Sequence, residues 1–300
     1  MSVIDTEKVT EAILATSCSP LALESAAGFV EHWIDQGVCA DKKIVAVEMG
    51  FVLPLDPDTI VIGVQDLLTD EEGIIGNEWK TTKEKTRYWN QDQWFDSISS
   101  GSQVAIYALA LQGATYYERD GTQYAPKVDK PRIRVRAISK SSPPVIWPTR
   151  GDEILTFCQK GLDRTRAALL AKAASIRAMR LAGSTPWQLP GIWCTNQFRR
   201  QCDHYNDCLA GKGPEGFGVF APNDPAFDLA LPHIGNRRDD SKLVILGASM
   251  YSTASECVEK YRRATITGDA EESLALDVGG AFHSGVAEWY RQLREQQKKG

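Results

Sequence analysis

Apolar and polar positions alternate along this chain with two periods, and the changes between them mark out its elements. In the first thirty-odd residues, with SPLALESAAGFVEHWIDQG at the centre, apolar side chains recur every three or four positions as far as Gly37. That spacing predicts a helix closed by a glycine. Three strand-like runs follow over residues 44–55, 59–68 and 73–82, and the acidic links DPD and TDEEG between them suit an antiparallel meander. The helical period returns over 97–111 (SISSGSQVAIYALAL), with Ser and Gly at its start and Val104, Ile106, Ala108 and Leu111 available for packing. PRIRVRAISK predicts a further strand. The longest helical pattern runs from about Asp152 to Leu181, with its Arg and Lys residues assigned to a polar face.

From about Ser184 to Pro232 there is no sustained period, and Gly, Pro, Asn and Cys accumulate, so this stretch is read as loop scaffolding. LVILGAS (243–249) then predicts a short strand, ECVEKYRRA a helix, and residues from about Asp277 onward a last helix. No internal repeat or low-complexity linker interrupts the chain.

Composition narrows the function classes. The chain has 300 residues, 43% hydrophobic and 24% charged, enough for one large domain or two small ones. A net charge of -5 argues against broad coating of nucleic acid, which depends on phosphate neutralisation, but leaves room for a local basic groove. No apolar run reaches the roughly eighteen residues needed to span a bilayer, and MSVIDTEK has neither the basic start nor the apolar stretch of a signal peptide. The expected location is cytoplasmic, with no membrane partner. Seven cysteines without a secretion signal do not suggest a disulfide framework, so metal or cluster ligation comes into consideration.

The candidate chemistry lies in the meander. Asp66 ends one strand, and Glu78 and Lys80 stand two residues apart on the next, hence on one face. If the strands pair, two carboxylates and an ammonium converge. Carboxylate oxygens are what a hard divalent ion such as Mg²⁺ prefers, and such an ion polarises a phosphodiester and activates water. Lys80 would place positive charge beside the transition state. On spacing alone, a solvated hairpin face is the plainer reading of these residues.

Four segments carry a resemblance: IGVQD around Asp66, NEWKTT around Glu78 and Lys80, GSQVAIYALAL with Gln103 and Tyr107, and VEMGFVLPL with Glu48. They resemble the RecB-type nucleases of the PD-(D/E)xK superfamily, which include AddB-type recombination nucleases and CRISPR-associated end-trimming nucleases. The resemblance covers residues 45–113. It implies an α/β, restriction-endonuclease-like core with a mixed central sheet flanked by helices, followed by a loop-rich, cysteine-containing C-terminal region. It also implies catalysis by Asp66, Glu78, Lys80, Gln103 and Tyr107 with Mg²⁺ or Mn²⁺. Gln103 and Tyr107, four apart on a helix, would orient the lysine and hold DNA phosphates. Glu48 is either an auxiliary group at the metal or an ordinary polar residue of the first strand.

Members of this family open with a cysteine-bearing helix and a GxxxH motif whose histidine is a further metal ligand. His32 in GFVEH has that spacing, but the better match lies near the other end, where Cys257 is followed by Gly279 and His283. This order resembles a circular permutation, with His283 joining Asp66 and Glu78 at the metal. A tail that begins a second nuclease copy would give the same order. The permuted reading makes residues 1–300 a single nuclease domain: a catalytic core over 1–150, a helix and cysteine-bearing loop over 151–240, and the displaced segment over 241–300.

The cysteines extend the resemblance. Cys194, Cys202, Cys208 and Cys257 are similar to the family's four ligands of a [4Fe-4S] cluster. Arg199, however, stands where a middle cysteine is expected. A Zn²⁺ site recruiting His204, or no metal with the cysteines as packing residues, are the other readings. Cys18, Cys39 and Cys158 match nothing and are expected to pack.

The implied substrate is DNA, single-stranded or at an end, and the implied setting is recombination, repair or phage DNA metabolism beside a helicase or recombination partner. Trp79, Tyr88, Trp89, Trp94 and Phe95 are candidates for base stacking, and Lys83, Lys85 and Arg87 for phosphate contacts, with core and solvated-loop roles as the plain alternatives. The competing function is a DNA-end-binding or assembly subunit that keeps the fold and cluster but cleaves little.

Overall fold

The break in the N-terminal helical pattern sits where the sequence places its own stop and start signals. The computed structural model describes residues 4–16, 18–82, 101–118, 121–139, 145–146, 152–181, 242–248 and 274–299. The expected single N-terminal helix is two, α1 (Thr6–Leu14) and α2 (Pro20–Asp35). Asp5 caps α1 by accepting from the Lys8 N–H, and Ser19 caps α2 by accepting from the Ala22 N–H, with Pro20 opening the first turn. After α2 the chain turns through Gly37 at φ 60°, a left-handed position suited to glycine.

The three expected strands are β1 (Lys43–Asp56), β2 (Thr59–Asp70) and β3 (Ile74–Thr82). Helix α3 (Ser102–Gly113) follows, then β4 (Thr115–Tyr117), β5 (Gln123–Tyr124), β6 (Arg132–Ser139), β7 (Val145–Ile146) and β8 (Asp152–Thr156). Helix α4 (Gln159–Leu181), β9 (Val244–Gly247) and helix α5 (Leu274–Lys299) complete the described elements. Residues 152–156, expected to open the long helix, are instead strand: DEILT pairs antiparallel with β6 from Arg132↔Thr156 to Arg136↔Asp152. A non-local ladder overrides the local helical pattern there.

Among the described residues the sheet order is β5-β4-β1-β2-β3-β6-β7, with β8 also on β6 and β9 on β2. β2 and β3 are antiparallel, in register from Asp70↔Ile74 to Leu67↔Asn77. β3 and β6 are parallel from Ile75↔Arg132 to Thr82↔Ser139, and the crossover between them contains α3, as a parallel pair requires. A mixed central sheet flanked by helices is the architecture expected from the sequence.

The chain divides into two compact units, the first containing residues 1–49, 65–158 and 271–300 and the second 50–64 and 159–270. In the first, α1, α2 and α5 cover one face of the sheet, burying Val9, Ile13, Val30, Trp33, Phe282, Val286 and Tyr290 against Leu67 and Trp79. Polar ties hold α5 along its length. The Tyr290 hydroxyl donates to the Val38 carbonyl at 2.7 Å, Arg294 grips Glu118 through two bonds, and Gln297 accepts from the Ile44 N–H at 2.9 Å. In the second unit, β9 runs parallel to the outer half of β2 from Thr59↔Val244 to Ile62↔Gly247. Two arginines of α4 turn onto backbone there: Arg166 donates to the Leu55 carbonyl, and Arg177 to the Asp58 carbonyl and the Thr59 hydroxyl. No helix among the described residues is long and apolar enough to cross a membrane.

Cys194, Cys202, Cys208, Cys257 and His204 lie outside the described residues, as do Tyr88, Trp89, Trp94, Phe95, Lys83, Lys85 and Arg87. Of the three cysteines expected to pack, Cys39 is buried and Cys18 half-buried, but Cys158 is exposed. Trp79 is core rather than a stacking platform, with 2% of its surface exposed.

Candidate active site

Period-two alternation on β3 puts Glu78 and Lys80 on one face and Trp79 on the other. The β2–β3 register extends to Leu67↔Asn77, and one step further Asp66 and Glu78 come side by side. There the Trp79 main-chain N–H donates to Asp66 Oδ2 at 3.0 Å, which fixes that carboxylate against β3. Lys80 Nζ contacts Glu78 Oε1 at 2.5 Å and donates to Gln103 Oε1 at 2.8 Å. Gln103 in turn donates through Nε2 to the Tyr107 hydroxyl at 2.9 Å, one turn along α3. His283 reaches the same place from α5, with Nδ1 3.3 Å from Asp66 Oδ1. The structure thus brings together Asp66, Glu78, Lys80, Gln103, Tyr107 and His283.

The other candidates fall apart from this group. His32 is half-buried and paired with Gln36. Glu48 takes a left-handed backbone, φ 45°, within β1, a conformation that costs a non-glycine residue about 1–3 kcal/mol. Its Oε2 accepts from Arg291 Nη2 at 2.8 Å, so it is an ion-pair partner of α5 as well as a neighbour of the site.

Burial sets the electrostatics. Glu78 is 2% exposed. Burial, followed by the charge of Asp66, pushes its carboxyl up to about 7, while Lys80 and His283 pull the other way. For Lys80, burial works against the charged form, but Glu78 and Asp66 outweigh it and hold the ammonium above its ordinary value. His283 follows the same pattern: burial opposes the imidazolium, and Asp66, Glu78 and Glu48 outweigh it. The two cations of the cluster are thus held charged by its carboxylates, while the Glu78 carboxylate is disfavoured by its burial and by Asp66.

Glu78 Oε2 is buried and has no hydrogen-bond partner among the described residues. A buried carboxylate oxygen left in this state costs a few kcal/mol and invites a ligand. Two carboxylates and an imidazole are a donor set suited to Mg²⁺ or Mn²⁺. Among the described residues no group of three such side chains is already arranged as a metal cage. Glu78 is turned onto Lys80, and Asp66 is shared between the Trp79 N–H and His283.

The model of the PD-(D/E)XK nuclease superfamily matches residues 17–206, more than half of the 300-residue chain. This chain belongs to the PD-(D/E)XK nuclease superfamily. The matched span includes Asp66, Glu78, Lys80, Gln103 and Tyr107 and ends well before His283. No curated protein and no solved structure matches the chain.

Sequence reasoning gave Trp79 no part in the superfamily site, although the site leans on it. Its place between Glu78 and Lys80 was the available signal. Arg291, the partner of Glu48, was missed because its only cue is a helical spacing from His283. Gln65 was missed as well. Its Oε1 accepts from the Tyr116 hydroxyl at 2.9 Å in a fully buried setting beside Asp66, and nothing local announces that.

Proposed function

We propose that this chain is a metal-dependent deoxyribonuclease acting on single-stranded DNA or DNA ends, with Asp66, Glu78 and Lys80 as catalytic residues. The observation that carries the reading is the convergence of Asp66, Lys80 and His283 on the buried Glu78, with Lys80 aimed by Gln103. Asp66, Glu78 and His283 would hold Mg²⁺ or Mn²⁺, and the unpartnered Glu78 Oε2 supports this. Such an ion, when bound, polarises the scissile phosphate and makes a bound water more acidic.

The remaining steps belong to the chain. Lys80 presents a fixed positive charge where negative charge builds on the phosphate, and burial strengthens that interaction. Gln103 and Tyr107 keep the lysine from swinging into solvent, a positioning effect that costs nothing at the moment of reaction. Asp66, anchored through Oδ2 by the Trp79 N–H, presents Oδ1 to His283.

The finer assignment to the RecB/AddB type, with a circular permutation, is supported by the route of His283. It arrives from α5, late in the chain, at the carboxylate where the family's early GxxxH histidine is expected. For the cysteines we propose a [4Fe-4S] cluster on Cys194, Cys202, Cys208 and Cys257. Iron content and visible absorbance after anaerobic purification test that part separately.

The decisive assay uses labelled single- and double-stranded DNA with Mg²⁺, Mn²⁺ or chelator, beside Asp66→Ala and Lys80→Ala. Each substitution is expected to lower cleavage by at least about 10²-fold, the scale of losing one preorganised charge. Cleavage that survives both substitutions refutes the assignment. Tight DNA-end binding without cleavage in the wild type would instead favour the assembly-subunit reading.

A further inference from the structure

We propose that Trp79, the residue between Glu78 and Lys80, is a positioning residue that sets the ability of the site to capture its metal ion. The inference rests on reading Asp66, Glu78 and His283 as the metal centre. It asks which part of the chain holds two donors from distant elements, Asp66 of β2 and His283 of α5, within reach of each other.

Trp79 touches both. Its main-chain N–H occupies Asp66 Oδ2 at 3.0 Å, which leaves Oδ1 to face His283 Nδ1 at 3.3 Å. Its ring lies beside the imidazole, with centroids 6.0 Å apart and planes at 44°. On the same side it stacks on Tyr290 of α5 at 5.5 Å and 19°, and it meets Trp33 of α2 edge to face at 5.4 Å. One indole is thus the surface on which α5 rests beside the site. Tyr290 and His283 are seven residues apart, two turns of one helix, so both can lie on the same flank.

A second observation favours a role in shape over generic packing. The Trp79 indole N–H is buried with no hydrogen-bond partner among the described residues. A buried unpaired donor costs about 1–3 kcal/mol, which a phenylalanine or leucine would not incur. The position carries that cost and gains a ring broad enough to reach Tyr290 and His283 together. Without the ring, Asp66 keeps its hydrogen bond to the backbone, because leucine and phenylalanine at position 79 have that N–H as well. His283 loses its wall. The expected defect is therefore specific to the donor that comes from α5.

The test compares Trp79→Leu, Trp79→Phe and the control Trp289→Leu, which empties a similar volume in the same helical layer. Mn²⁺ affinity is measured by titration calorimetry on metal-free full-length protein, alongside the thermal midpoint and kcat and KM on DNA. Trp79→Leu is expected to weaken Mn²⁺ binding by about 10-fold or more, the scale of losing a group that orients a metal ligand. Excess Mn²⁺ should recover most of kcat. Trp79→Phe, which keeps an aromatic wall without the breadth of the indole, should recover the affinity only in part, and Trp289→Leu should keep it despite a comparable loss in thermal midpoint.

Equal Mn²⁺ affinity in Trp79→Leu and wild type overturns the inference, as does an equal loss in Trp289→Leu. If Trp79→Leu does not fold, the wild type still decides: cross-relaxation between the Trp79 indole and the His283 imidazole, assigned with His283→Gln, should persist on adding Mg²⁺, and its disappearance counts against the proposal. A wild type that binds no Mn²⁺ overturns the metal-centre reading and the inference together. A wild type that binds Mn²⁺ beside an equally competent Trp79→Leu overturns the inference alone.

Discussion

Gly76→Ala is a one-methyl change two residues from Glu78, and it isolates how tightly the floor of the site is packed. Position 76 lies in β3 at a backbone conformation open to any residue, so alanine there would ordinarily help, by about 0.4–1 kcal/mol through the unfolded state. The geometry reverses the sign. A Cβ at Gly76 would lie 1.9 Å from Gln65 Nε2 and 2.9 Å from both Gln65 Cδ and Ile133 Cδ1. Gln65 is fully buried and is held through its Oε1 by the Tyr116 hydroxyl. It has to swing away, so a buried hydrogen bond is lost and its amide is left to find new partners. Losing that bond costs about 1–3 kcal/mol and overpacking about 1–3 kcal/mol, so with the unfolded-state gain set against them the expected destabilisation is about 1–6 kcal/mol. Urea unfolding of the two proteins measures it as a drop in midpoint at unchanged slope. Gln65→Ala on the Gly76→Ala background should restore about 0.5–3 kcal/mol relative to additivity, because the two side chains compete for one space. A Gly76→Ala protein as stable as wild type, or a strictly additive double mutant, would refute the reasoning.

Gly285 sits on α5 where a Cβ would meet Ile13 Cγ1 at 2.7 Å and Val30 Cγ2 at 2.8 Å, so Gly285→Val should push α5 off α1 and α2. It should cost about 1–3 kcal/mol. Mn²⁺ affinity should fall with it, because His283 rides on the same helix; undisturbed Mn²⁺ binding would show that the docking of α5 does not set the ligand. Glu71 and Arg134 form a two-bond ion pair at 2.5 and 2.9 Å. Burial raises the Glu71 carboxyl, but Arg134 and Thr69 outweigh it and hold it below its ordinary 4.5. The stability it supplies is thus complete above about pH 4.5 and lost as pH falls through the lower folded value. Glu71→Gln should flatten the acid limb of a stability–pH curve, and an unchanged limb would contradict the assignment. Glu78, pushed up to about 7, should have to release a proton when the ion binds. His283, held above its ordinary value, has to give up its proton as well, so Mn²⁺ affinity should climb through about pH 7, which calorimetry in buffers of different ionisation enthalpy detects as proton release. A flat profile would exclude Glu78 as a ligand.

Much of the site was legible because its signals are local. Alternating apolar residues and two short acidic links fix β1, β2 and β3, and they carry Asp66, Glu78 and Lys80 onto adjoining strands. For Gln103 and Tyr107 a helix period gave only the shared face, and their place at the site came from the resemblance. What escaped depends on partners far away in sequence. DEILT reads as the start of a helix until β6 is beside it, and the parallel pairing of β3 with β6 has no local trace. PRIRVRAISK announces a strand but not what its alternating arginines meet. In the structure Arg134 and Arg136 are buried, Arg134 on Glu71 and Arg136 with an N–H on the thiol of Cys39 at 2.8 Å. The split between α1 and α2 was present as Ser19-Pro20 but was overridden by an apolar period that runs across it. Trp79 looked like a ring for stacking bases because sequence does not say which face of β3 is covered by α5.

The arrival of His283 on α5 also has a meaning in time. A ribosome adds about 5–20 residues per second, and His283 is made 203 residues after Lys80. For roughly 10–40 seconds at those rates, each nascent chain carries Asp66, Glu78 and Lys80 without the histidine, and β3 has neither Tyr290 nor Phe282 to rest against. The strands of the site are then a half-covered sheet whose apolar face is still exposed. If the chain cleaves DNA as proposed, that competence is a late event in the life of each molecule, gained when the helix from the far end of the sequence docks beneath the carboxylates.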